Sequence, residues 1–251
     1  MKIPCLILGL LLAASVAVGE PALIPFGPGE ELVFSIDYGP VNAGEASLEV
    51  KGIVESGGRE CFHVESTATS NRVFSAFYKV RDKVVSHFQT DTLVSRYFSK
   101  RLHEGDYRKR VQVLFDQENR KASYRDGREF DVPANVHDIL AAFYVVRTLP
   151  LEPGAPAHVA THSSRKNYDL EVIVHGRETV TVEAGTFDCL VVEPVILGEG
   201  LFQYEGKVTI WLTDDERRLP VLMKTKVKIG AVDASLKSFT LAAPYRAAEA
   251  P

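Results

Sequence analysis

The sequence predicts a mainly β protein: a single antiparallel sheet, curled into a barrel or half-barrel, with one main helix near residues 136–148. Three observations lead there. Apolar residues alternate with polar ones at a period of two along most of the chain. Glycine-bearing turn signals separate these runs. Only one segment carries near-helical apolar spacing.

The alternation is clear at several places. Leu32, Phe34, Ile36 and Tyr38 alternate with Val33, Ser35 and Asp37. Ala46, Leu48 and Val50 alternate with Ser47 and Glu49, and Val111, Val113 and Phe115 with Arg110, Gln112 and Leu114. Such spacing puts one set of side chains on one face of a pleated strand. Further β-rich runs fall at 61–68, 78–88, 92–102, 120–125, 157–163, 168–175, 177–183, 187–196, 203–213, 220–229 and 231–241. Gly57-Gly58, Asp126-Gly127, His175-Gly176, Ala184-Gly185 and Ile229-Gly230 read as turns between them, because each offers a residue that tolerates positive φ. Asp214–Arg217 reads as a longer hairpin tip. Many short strands joined this way favour a curled sheet that limits its edges.

For the helix, Asn135 offers a cap, with Asp138 near the positive end of the dipole. Ile139, Leu140, Phe143, Tyr144 and Val146 follow, and Pro150 ends the pattern. So apolar a helix should pack against the sheet or plug it. A weaker helical turn is expected near Arg72–Tyr78, and Leu149–Pro156 reads as a linker between two halves of one sheet.

Residues 1–19 read as a cleaved secretory signal: Lys2 supplies a positive start, Ile3–Val18 are uncharged, and Ala17-Val18-Gly19 are small. The run is short for a membrane span and holds Pro4 and Gly9. The expected address is therefore periplasmic. Residues 20–241 then form one β-rich domain, and 242–251 an Ala- and Pro-rich disordered tail. Hydrophobic content of 45% suffices for a core, and a net charge of −4 gives no reason to expect a nucleic-acid partner. Cys61 and Cys189 lie outside the signal, and export leaves open either a disulfide between them or two separate thiols.

Several motifs occur in a familiar order. Gly29-Glu30-Glu31-Leu32 opens a strand and is followed by Ala43-Gly44. Tyr78-Lys79-Val80-Arg81-Asp82 comes next, then His137-Asp138 through Tyr144 and Arg147. Ala184-Gly185-Thr186-Phe187, Trp211–Asp215 and Arg218–Val221 complete the set. In this order the chain resembles the bacterial family known as domain of unknown function 3108, over about residues 26–241. The resemblance implies an exported, β-rich envelope protein and carries no activity. More loosely, the topology is similar to the curved half-barrels of lipoprotein carriers, an analogy of fold alone.

The candidate ligand-binding set is Tyr78, Arg81, Asp82, Tyr144, Arg147 and Trp211. Two arginines follow aromatic segments, and Asp82 could orient one through a charge-assisted pair. Such groups at a cavity mouth suit an anionic headgroup or a peptide carboxylate. Against this, Arg147 complements a helix C-terminus and Trp211 fits a core. The basic stretch Arg96–Arg110 suits peripheral contact with a phosphate-bearing membrane, or else edge protection. His158 and His162 lie on a strand, too far apart to share one ion, and Asp214-Asp215-Glu216 lacks a calcium-loop pattern. No metal or cofactor is expected, and no catalytic residue is assigned; the Cys61–His63 pair lacks an orienting third group. The reading favoured is a non-catalytic envelope protein binding an apolar or amphipathic ligand, such as a lipid or lipidated chain. The alternatives are an envelope scaffold or protein-interaction module with a filled core and no cavity and, behind it, a hydrolase of an envelope polymer.

Overall fold

The computed structural model describes residues 23–197, 208–226 and 231–246. The segment read as a signal lies outside the described residues, as does the Ile229-Gly230 turn. Strand β1 (Leu23–Ile24) leads into β2 (Glu31–Tyr38), β3 (Val41–Ser56), β4 (Arg59–Ser70), β5 (Arg81–Gln89), β6 (Ser95–Glu104), β7 (Tyr107–Asp116), β8 (Lys121–Tyr124) and β9 (Glu129–Asp131). Helix α1 (Ile139–Val146) follows. The chain continues through β10 (Ala157–Ser163), β11 (Lys166–Val182), β12 (Gly185–Leu197), β13 (Val208–Thr213), β14 (Pro220–Lys226), β15 (Ala231–Thr240) and β16 (Tyr245–Arg246).

All strands but β1 and β16 belong to one antiparallel sheet of fourteen, in the order β10 to β15, then β2 to β9. The pairing of β15 with β2 joins the two halves, so the predicted curled sheet is present and is not closed by strand pairing. The expected turns at Gly57-Gly58, Asp126-Gly127 and Ala184-Gly185 fall between strands. His175-Gly176 does not. There β11 runs on as one strand, and the register slips between Val174 and Gly176 as a bulge. Residues 242–246 also depart from the expected tail. β16 pairs with β1, and the Tyr245 ring packs 4.9 Å from that of Phe62. Gly44 is required by close approach: a Cβ there would collide with the Thr69 carbonyl oxygen.

The two sheet edges, β9 and β10, are bridged by an irregular segment and by side chains. Between them, Val136 accepts from the Ser95 amide (3.2 Å), His137 donates to the Ala160 carbonyl (2.9 Å) and His162 donates back to His137 (2.8 Å). A side-chain relay completes the seam. The Tyr124 hydroxyl accepts from the Arg165 amide (2.9 Å) and so donates to His162 Nε2 (2.9 Å). His162 Nδ1 then carries the proton and donates to Asn167 Oδ1 (2.7 Å), while Asn167 Nδ2 donates to the Asp131 carbonyl (2.8 Å). Burial holds the His162 pKa low, in keeping with this neutral tautomer.

α1 plugs one end of the curl, and its cap differs from expectation. Asn135 adopts φ 55° and stands outside the helix. Asp138 caps it, accepting from the Leu140 and Ala141 amides (2.9 and 3.0 Å). Its other oxygen accepts from the hydroxyls of Ser86 and Ser95, both at 2.6 Å. At the far end Arg147 forms a bidentate pair with Glu30 (2.6 and 2.9 Å) and both side chains have 0% exposure. The guanidinium also lies over the rings of Phe26 and Tyr144. Around it, Phe26, Phe62, Phe88 and Tyr144 pack mostly edge to face and form the heart of the core.

Cys61 and Cys189 are buried free thiols, which corrects the disulfide alternative. They sit on β4 and β12, six strand positions apart in the sheet. Each points at backbone carbonyls, of Arg59 and Phe187 respectively.

Two predictions follow from these buried groups. Replacing Glu30 by Ala strands the Arg147 charge in the core and should cost about 3–5 kcal/mol in urea denaturation, whereas Glu30→Met with Arg147→Leu should recover most of it. Equal destabilisation in single and double variants would contradict this. The second concerns His87, stacked between His63 (4.8 Å) and Tyr97 (4.9 Å) with its Nε2 buried and unpartnered. Burial, aided by His63, lowers its pKa from 6.5 to about 4. A histidine held below its unfolded pKa favours the fold above pH 6.5, and that contribution disappears as pH falls through 4. Unfolding midpoints should therefore drop as pH falls below 6.5, and His87→Phe should lessen the drop without abolishing it, because His137 and His162 are also held low by burial. Glu118, held down to about 2 by Arg96, acts only at lower pH.

Candidate functional site

The plugged end leaves the other end of the curl hollow. Period-two alternation puts Phe98, Lys100, Leu102 and Glu104 of β6 on one face, and that face lines two cavities. The first, of about 520 Å³, is floored by Phe98, Val113, Phe115, Tyr124 and His162. Its rim carries Lys109, Arg110, Arg125 and Arg165, with Asp126 as the acid among them. The second, of about 600 Å³, is apolar and lies under the 3-10 turn Phe74–Ala76, between Ile36, Ala68, Phe74 and Tyr78.

The first cavity exists because the wall is low there. β8 covers only Val113–Asp116 of β7, so the Tyr107–Val111 part of β7 faces a gap. Across it stands the β10–β11 tip, Ser163–Arg165. Arg165 is partly spent, paired with Asp126 (2.5 Å) and lying over the Tyr124 ring. Among the described residues, no ion pair neutralises Lys109, Arg110 or Arg125. The result is an aromatic floor beneath unpaired cations, a form that suits an amphiphile with an anionic head.

The six residues read as one site fall in three places. Tyr144 and Arg147 come together inside the plugged core, where Glu30 occupies the guanidinium. Tyr78, Arg81 and Asp82 lie at the hollow end; Tyr78 lines the second cavity, and Asp82 accepts from the His103 amide (2.8 Å). Trp211 sits on β13 far along the sheet, donating to Glu178 (2.8 Å) with Lys224 over its ring. Of the basic stretch, Arg96 is buried and paired with Glu118, while Lys109 and Arg110 reach the first cavity. His158 and His162 keep separate partners, Asp169 and Tyr124. Phe98, Phe115, Tyr124, Arg125 and Arg165 were not singled out by sequence. The alternation Val111-Val113-Phe115 marked an inward face, but nothing in the sequence showed which strands flank the gap.

Burial raises both thiol pKa values to about 11, which keeps them protonated. Among the described residues, no group of three or more His, Cys, Asp or Glu is placed to hold a metal ion, and no helix is long and apolar enough to cross a membrane.

Among solved structures, the fold is similar to a β-barrel-like protein of domain of unknown function 1849 from Brucella abortus. The TM-score is 0.63 at 9% identity, covering 86% of this chain and 98% of that one. A DUF1089 family protein from Pseudomonas aeruginosa is more distant, with a TM-score of 0.36 at 9% identity over 78% of this chain and 90% of that one. No curated protein matches the chain. The profile described as "Protein of unknown function (DUF3108)" matches residues 33–237, and the chain belongs to that family.

Proposed function

We propose that the protein is exported to the periplasm, where it binds an anionic amphiphile, such as a lipid or a lipidated chain, without catalysing a reaction on it. The observation that carries this reading is the first cavity. It pairs an aromatic floor with the cations Lys109, Arg110 and Arg125. Its volume of about 520 Å³ falls within the ~300–1,000 Å³ of small-molecule sites. An acyl chain or ring system would take the floor, and a phosphate or carboxylate the rim. Export is supported by the signal-like residues 1–19. A scaffold with a filled core fits less well, since packing fills the helix end and leaves the other end hollow. The Cys61–His63 pair supports a non-catalytic role: the buried thiol is turned to the backbone carbonyls of Ser56 and Arg59, and the His63 ring pairs with Glu65.

Native mass spectrometry of the protein from a periplasmic extract tests the reading. A reproducible added mass that dissociates as an anionic lipid is expected. Lys109→Glu with Arg110→Glu should weaken rebinding of that lipid by about tenfold or more, and added salt should weaken the wild type in the same direction. A bare mass, persisting after incubation with envelope lipids, would overturn the proposal in favour of a protein-interaction module.

A further inference from the structure

The hollow end carries a second feature that ligand binding does not use. Among the described residues, half of the large apolar side chains that are exposed gather on three neighbouring loops there. Val41 lies at the β2–β3 tip, Val73, Phe77 and Tyr78 between β4 and β5, and Tyr107 at the β6–β7 tip. Phe77 is 89% exposed and Val73 73%. Single exposed apolar residues are ordinary, but a cluster at one end of a barrel calls for an occupant.

The loops are fastened to one another, so the cluster is a built surface. Asn71 donates to the Asn42 carbonyl (2.7 Å), and its own amide donates to Ala43 (2.8 Å). On the other side Gly105 donates to the Lys79 carbonyl (2.8 Å). Gly105 has φ +54°, and a Cβ there would meet the Tyr78 ring at 2.8 Å, so only glycine lets that ring settle against the hairpin. Phe74 faces the second cavity and stacks near Tyr38, which directs its helical-turn neighbours Val73 and Phe77 outward.

The charge within the loop that carries Val73 and Phe77 has one sign. Residues 72–81 carry Arg72, Lys79 and Arg81 and no acid before Asp82, although the chain as a whole is acidic. The adjoining hairpin sets Arg108 and Lys109 against Glu104 and Asp106. Exposed aromatics bordered by long cationic side chains match the interface of an anionic bilayer, where rings enter the headgroup region and cations meet phosphate. The geometry points to this mouth as a docking surface for an anionic lipid bilayer, with Val73 and Phe77 entering the interface and Arg72, Lys79 and Arg81 on the phosphates. A protein partner, or a second copy, would have to accommodate the same cations around its apolar contact, and the acidic groups near the mouth, Asp37, Glu45, Asp82, Glu104 and Asp106, lie outside the 72–81 loop.

Vesicle co-sedimentation of the purified protein tests this independently of the cavity ligand. The probes are phosphatidylglycerol-containing vesicles and pure phosphatidylcholine vesicles. The protein should sediment with the first far more than with the second, and high salt should release it. Phe77→Asp and, separately, Arg72→Glu with Lys79→Glu should each reduce partitioning by about tenfold or more with melting temperature unchanged. Phe77→Trp should bind as the wild type and shift its emission to the blue on vesicle addition. Lys109→Glu with Arg110→Glu should impair lipid rebinding in mass spectrometry more than it impairs sedimentation, which separates the two proposals. The inference fails if the wild type ignores anionic vesicles, if Phe77→Asp binds them equally well, or if Phe77→Trp shows no shift. Concentration-dependent dimerisation abolished by Phe77→Asp, without vesicle binding, would assign the surface to a second copy instead.

Discussion

One helix held at both ends by buried charge sets what the rest of this sheet can do. At its start, Asp138 is wholly buried, and its carboxylate is fully engaged: two local helix amides and the hydroxyls of the distant Ser86 and Ser95. At its end, Arg147 reaches Glu30, 117 residues earlier in sequence. Burying an ion pair gains little net stability over a well-packed apolar pair, because desolvation offsets most of the attraction. Its geometry is demanding, however. The bidentate fork fixes the last turn of α1 against the strand that begins at Glu31, and the carboxylate cap fixes the first turn against β5 and β6. α1 therefore cannot slide along the curl, and the core around Phe26, Phe62, Phe88 and Tyr144 forms at one end only.

The hollow end is a consequence. A fourteen-stranded sheet has two edges, and exposed edges invite pairing with other chains. Near the helix, the Val136–Asp138 segment and the Tyr124–His162–Asn167 relay occupy the edges. Further out, β8 and β9 have ended while β7 continues, so the wall is incomplete. The stretch of β7 left uncovered by β8 carries Arg108, Lys109 and Arg110, cations of the kind that protect a sheet edge. The same cations rim the cavity. Edge protection and ligand attraction ask for one residue type in one place, and composition alone does not separate the two.

The fold was legible where it depended on local pattern. Alternation in Leu32–Tyr38 and Val111–Phe115 marked strands β2 and β7, and the glycine turns at 57–58, 126–127 and 184–185 were placed from residue type. The misreadings share a cause. Gly176 has the composition of a turn, but cross-strand pairing with β12 carries the chain through it as a bulge. Asn135 is an acceptable cap by propensity, but tertiary bonds from Ser86 and Ser95 draw the cap to Asp138. Arg147 looked like a ligand-facing cation because its partner is distant in sequence. Glu30 belongs to the first motif of the family resemblance and Arg147 to the third, and nothing short of the fold joins them.

Charge divides the molecule accordingly. At the helix end the ionised or ionisable groups, Glu30, Asp138, Arg147 and Arg96 with Glu118, are consumed by the structure, each with partners inside it. Around the mouth and the gap, Lys109, Arg110 and Arg125 have no ion-pair partner among the described residues. Groups spent on architecture have little interaction free energy left for a ligand, because replacing an internal partner would expose the desolvation cost of the one displaced. Three residues of the motifs that carry the resemblance, Glu30, Asp138 and Arg147, are of the first kind. They specify where the plug sits. On the proposed reading, the second kind, on the loops and the unfinished wall, is what remains open to an anionic partner.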